Sequence, residues 1–107
     1  MANNYKNAKL DLTTTNATVL YTCPAATTGT IKSILVSEDS GNADTITVTI
    51  TDASTVVFSL FKVKAIGANG TVELLTQPLV VQENEIIKVT AATANRLHVV
   101  ASLLEIN

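Results

Sequence analysis

A single antiparallel β-sandwich of the jelly-roll kind is what this sequence predicts, and three observations carry that reading. The 107 residues are 47% hydrophobic and 15% charged, with no Trp. Their β-branched apolar residues and abundant Thr suit a pleated, half-buried surface. The segment Thr45-Ile46-Thr47-Val48-Thr49-Ile50-Thr51 alternates polar and apolar without a break, which is the period of a strand. Turn residues recur at intervals of roughly ten residues with no helical period between them, as in a sandwich or jelly roll. The length fits one domain, residues 1–107, with one core.

Taken in order, Ala2-Asn3-Asn4-Tyr5-Lys6-Asn7 is polar, and residues 1–6 are read as an extended N-terminal arm. The first strand is expected over 5–12. The second, over 18–22, stops at Cys23-Pro24 because proline has no N–H to give a ladder. A third run, 30–37, leads into Asp39-Ser40-Gly41-Asn42, where Gly41 is free to take positive φ. The strand 45–51 places Ile46, Val48 and Ile50 on one face and its Thr row on the other. The run 56–64 is followed by Ile66-Gly67-Ala68-Asn69-Gly70, whose Asn-Gly pair signals a turn. Residues 71–76 end before Gln77-Pro78, and Glu83-Asn84-Glu85 separates the apolar run 79–81 from a strand over 86–91. Residues 91–94 are too short for a helix. The strand 97–106 closes the set, which makes about eight strands on this template.

Two of these strands are apolar on both faces. In the last, Leu97, Val99, Ala101 and Leu103 alternate with Val100, Leu104 and Ile106. In 56–64, strict alternation sets Val57, Phe61 and Val63 against Val56, Phe58 and Leu60. A two-layer sandwich accepts only one of those faces into its core. Phe58, Phe61, Val100, Leu104 and Ile106 are therefore the candidate oligomer or docking residues, since larger apolar patches mark interaction sites.

Charge and chemistry exclude several classes. Seven Lys and Arg against nine Asp and Glu give a net charge of −2, with the basic residues dispersed, so nucleic acid is not an expected partner. No apolar run approaches a membrane span, and no export signal is read at the N-terminus. One cysteine, Cys23, forms no internal disulfide and is read as a small buried apolar side chain. A catalytic triad needs a histidine base with companions, whereas His98 stands alone between Leu97 and Val99 as a structural or interface residue. The acidic stretch 38–44 lacks the spacing of a calcium loop and reads as a solvated turn. The four glycines are scattered rather than gathered in a phosphate loop. The expectation is a protein with no catalytic residues, no metal and no cofactor.

One arrangement is familiar as a whole. Thr18-Val19-Leu20-Tyr21-Thr22-Cys23-Pro24-Ala25-Ala26 runs into Ile31-Lys32-Ser33-Ile34-Leu35-Val36-Ser37, then Val72-Glu73-Leu74, Pro78-Leu79-Val80-Val81 and the ending Val99-Val100-Ala101-Ser102-Leu103-Leu104-Glu105-Ile106. From about residue 6 onward this resembles small virion structural proteins of tailed bacteriophages, particularly marine and cyanobacterial ones. Such proteins often carry Val or Ala where Cys23 stands, and Ala-Gly-Asp near Glu83-Asn84-Glu85. The resemblance implies a virion component assembled in the host cytoplasm, most simply a capsid decoration (cement) protein on the major capsid lattice. Its expected partners are the major capsid protein and further copies of itself. A neck, tail or baseplate accessory protein is the alternative, and a receptor- or carbohydrate-binding module is more distant because exposed aromatics are few.

Overall fold

Nine strands run through residues 2–107, the part of the chain that the computed structural model describes. They are β1 (Asn3–Asp11), β2 (Thr18–Thr22), β3 (Thr28–Glu38), β4 (Asp44–Thr51), β5 (Val57–Ile66), β6 (Thr71–Glu73), β7 (Leu79–Val81), β8 (Ile86–Ala91) and β9 (Leu97–Ile106). One antiparallel sheet has the order β1-β9-β3, with β6 and β7 both on the far side of β3; the other is β2-β8-β4-β5. Most connections pass from one sheet to the other. This is the order of an eight-stranded jelly roll whose sixth strand is broken in two.

The break accounts for the ninth strand, which the sequence pattern does not reveal. β6 pairs with Leu35–Ser37 of β3, and β7 pairs lower down with Gly29–Ile31. Pro78 cannot donate to a ladder, so the run cannot continue as one strand. Opposite the gap β3 bulges between Ile31 and Ser33 in its pairing with β9. Glu73 fills the gap chemically. Its carboxylate accepts the Ser33 hydroxyl and the N–H groups of Ile34 at 2.8 Å and Leu75 at 3.2 Å.

The expected N-terminal arm is not free. Residues 3–6 are the first half of β1, which pairs with β9 from Asn3↔Ile106 to Asp11↔His98; Met1 lies outside the described residues. The reason is physical. Ala8 and Leu10 pack against the core, and Lys6 reaches Glu105 at 3.0 Å.

The core lies between the sheets. Ile31, Ile34, Val36, Val99 and Ala101 of the first sheet meet Ile46, Val48, Ile87 and Val89 of the second, and all are fully buried. Each such Val or Ile contributes about 1.5–3 kcal/mol on leaving water. Thr45, Thr47 and Thr49 of β4 fall on the outward side, half-buried, as the alternation predicts, but Thr51 at the strand's end is buried. Cys23 is buried, and its Sγ–H donates to the Thr27 carbonyl at 3.3 Å.

At one end of the sandwich the core turns polar. Glu105 is the last inward residue of β9 and is 4% exposed. The Tyr21 hydroxyl donates to its Oε2 at 2.6 Å, while Lys6 holds Oε1. Burial, reinforced by the Glu105 hydrogen bond, pushes the Tyr21 hydroxyl far above its ordinary range. The same Tyr21 bond, assisted by Lys6 and opposed by burial, holds Glu105 below the usual carboxyl value. Tyr21 reaches this place only because residue 29 has no side chain: a Cβ there would stand 2.8 Å from its hydroxyl oxygen and 3.1 Å from its ring.

Gly29→Ala is therefore expected to cost about 1–3 kcal/mol of stability, the range for overpacking a core site. Gly67→Ala, whose new Cβ meets nothing within 4 Å, should stay within about 0.5 kcal/mol. Urea midpoints of the two variants check this directly.

Candidate functional site

β9 sets up the most distinctive surface, because its two faces are both apolar and only one can be buried. Leu97, Val99, Ala101 and Leu103 point inward, while His98, Val100, Ser102, Leu104 and Ile106 point out. Strand pairing then decides which side chains join them. Tyr5 of β1 and Thr30 of β3 flank Leu104, and Val80 of β7 lies beyond Thr30. Lys9 and Leu35 flank Val100, and Glu73 lies beyond Leu35. The resulting face carries Tyr5 at 77% exposure, Val80 at 53%, Leu35 at 41% and Val100 at 36%, with Leu104 and Ile106 half-buried among them.

Of the five candidates from the sequence, Val100, Leu104 and Ile106 come together here. Phe58 and Phe61 do not, since both lie on β5 in the other sheet. Strict alternation had set them on opposite faces. The pairing has two irregularities, one on each side of Val48, and β5 supplies the extra residue in both, so Phe58 pairs with Ile50 and Phe61 with Val48. Both phenylalanines thus stand on the side of β4 that faces the core. Phe61 is half-buried and lines an apolar groove of about 330 Å³ with Leu60, Leu74, Leu75 and Leu79, at the open side of the sandwich. Phe58 is 52% exposed. Val63, in the bulged region, takes a left-handed φ of 53° and donates its N–H to Thr47 Oγ1 at 3.1 Å.

Tyr5, Leu35 and Val80 were missed by sequence reasoning. The available signal was register: each sits across from an outward residue of β9 or β3. Tyr5 falls where the expected arm and the first strand overlap, and residues 79–81 read only as an apolar run, so the pattern alone gives neither a neighbour.

One end of the face is polar and tightly tied. His98 lies between Asp11, with Nε2 to Oδ1 at 3.2 Å, and Asp39, with Nδ1 to Oδ2 at 3.4 Å. The imidazole thus links β1 to the loop after β3. Glu38, also from the acidic stretch, is buried rather than solvated, at 2% exposure. Its carboxylate accepts the Ser40 hydroxyl and the N–H groups of Ser40, Gly41 and Asn69, joining two loops. Burial pushes this carboxyl up, but these donors outweigh it and hold the pKa at about 2. Glu73 is lowered in the same way, with burial opposed by the Ser33 hydroxyl and main-chain N–H groups. Among the described residues, no group of three or more His, Cys, Asp and Glu side chains is arranged to hold a metal.

No family model matches the chain, and no curated protein matches it. Among solved structures it is similar to a chain of the Bacillus endospore appendages, a family of disulfide-linked pili. The TM-score is 0.59 at 7% identity, covering 97% of this chain and 85% of that one. At this identity the likeness is one of fold: an all-β chain of two antiparallel sheets.

The carboxyls fix an acid response. A folded-state pKa below the ordinary 4.5 gives stability that is complete above that value and lost as pH falls through the folded value. Glu38, Glu73 and Glu105 are all lowered, so unfolding midpoints should be level above about pH 5 and drop from there towards about pH 2. Glu38→Gln should be less stable at neutral pH and show a shallower acid drop, measured by thermal melts across this range.

Proposed function

We propose that this chain is a non-enzymatic structural subunit that works in many copies on the surface of a larger particle, and specifically that it is a capsid decoration protein of a tailed bacteriophage. The observation that carries the reading is the exposed apolar face of the β1-β9-β3 sheet. Scattered exposed apolar residues are ordinary, but Tyr5, Val80, Leu104 and Ile106 on one side of a polar row, with Leu35 and Val100 on the other, share one sheet face and favour its burial against another protein. A rigid sandwich held by paired strands suits repeated attachment at symmetric positions. The sequence resemblance supports the virion assignment. The fold shared with a pilus chain supports the coarser class of assembled structural proteins.

That likeness also favours a second reading, a subunit of a bacterial surface appendage. In such an assembly this chain would join its neighbours without disulfides, because its one cysteine, Cys23, is buried.

Quantitative mass spectrometry of purified virions from the phage encoding this chain separates the readings. Hundreds of copies, comparable to the capsid protein, are expected for decoration. About six to a few tens of copies would indicate the neck or tail, as cyclic symmetry would give. Absence from virions, with presence in sheared appendage fractions, would overturn the phage reading in favour of the second. In the decoration case Leu104→Asp should fall well below wild-type copy number while its urea midpoint changes by no more than about 1 kcal/mol, as for a surface substitution.

A further inference from the structure

The same sheet face carries charge as well as apolar surface, and the placement of that charge says what kind of partner covers it. We infer that the face docks on a carboxylate-bearing surface of a different protein, with Lys32 as the central contact and Lys9 as a second cation on the same face; this rests on the structural-subunit reading above.

Lys32 occupies the bulge of β3 and is exposed. It shares a shallow depression of about 350 Å³ with Tyr5, Asn7 and Ser102. The Asn7–Ser102–Ser33 row lies between the Tyr5–Leu104–Thr30 row and the Lys9–Val100–Leu35 row, so Lys32 stands in the middle of the face. Among the described residues neither Lys32 nor Lys9 has an ion-pair partner, whereas Lys6 is held by Glu105. The carboxylates of this face are committed at its margins. Asp11 and Asp39 enclose His98 at one end, and Glu73 is bound to Ser33, Ile34 and Leu75 at the far edge. The middle is thus cationic and polar, flanked by apolar side chains on either side, on a chain of net charge −2.

Size fits a protein partner. The ten residues of β9 at about 3.4 Å each, and four strand positions at about 4.8 Å, make a face of about 650 Å², near the roughly 800 Å² per partner of a stable interface. Charge selects its chemistry. A second copy placed here by a two-fold axis through the middle of the face would bring Lys32 towards its own symmetry mate, and apposed like charges are unfavourable. Two lysines on one sheet face are too few to track a phosphate backbone. An acidic group meeting Lys32, surrounded by apolar contacts that exclude water, satisfies both features at once.

The test uses capsids from a phage lacking the gene for this chain, with purified protein added back and binding read by co-sedimentation. Binding should weaken as salt rises. Lys32→Glu should bind about 10- to 100-fold more weakly than wild type, the effect of reversing a contact at an interface centre. Lys32→Arg should bind within a few-fold, and a Lys62→Glu, Lys64→Glu variant on β5 should match wild type. Circular dichroism melts confirm that each variant is folded. Wild-type binding that is indifferent to Lys32→Glu would overturn the inference while leaving the decoration reading intact. No wild-type binding would overturn both. A dimer in analytical ultracentrifugation that Leu104→Asp dissolves would show that a second copy covers the face, and would overturn the inference.

Discussion

The buried carboxylate of Glu105 constrains much of the rest of the molecule. An unpaired charge in a protein interior is costly enough that structures arrange partners for it. Here the partners come from two other strands, the Tyr21 hydroxyl from the opposite sheet and the Lys6 ammonium from the edge. Tyr21 can approach only over a residue without a side chain, which ties β3 into the same arrangement through Gly29. Lys6 can approach only if β1 pairs with β9 in the observed register. Because strand side chains alternate, that register also turns Tyr5 and Lys9 outward. The polar end of the core and the makeup of the outer face are therefore consequences of one alignment.

A second carboxylate does comparable work in the plane of the sheet. The sixth strand of the jelly roll is interrupted, which deprives β3 of a continuous neighbour on that side. Glu73 accepts the main-chain N–H of Ile34 where a strand would otherwise have accepted it, and the Ser33 hydroxyl beside it. The bulge that this arrangement tolerates presents Lys32 on the outer face. Glu38 fastens the loops at the end of the sandwich near His98 with four donors on one carboxylate. In each case the acidic residue supports main-chain geometry.

The edges of the two sheets carry features that discourage strand pairing with another chain. β1 carries Lys6 turned inward and Lys9 turned outward, and charge at an edge discourages unwanted strand pairing. β5 is bent by two bulges and bears Lys62 and Lys64. Bulges and lysines are both recognised guards against edge-to-edge aggregation. The exposed apolar residues of the β1-β9-β3 face are side chains on the sheet's outer surface, which favours side-chain packing over addition of a strand.

Much of the fold was legible in the residues alone. The alternation of 45–51 determined the inward Ile46, Val48 and Ile50, and the two apolar faces of 97–106 identified Val100, Leu104 and Ile106, because a period of two needs no tertiary information. The buried state of Cys23 was likewise readable from its isolation beside Pro24. What only the tertiary structure decided was neighbourhood. Bulges in β5 placed Phe58 and Phe61 on one side, and the broken sixth strand brought Val80 beside Thr30. The register of β1 put Tyr5 next to Leu104 and turned Lys6 onto Glu105. The reason is that periodicity is local to a strand, whereas register and bulges depend on hydrogen bonds to strands distant in sequence, and a shift of one residue turns every later side chain to the other face.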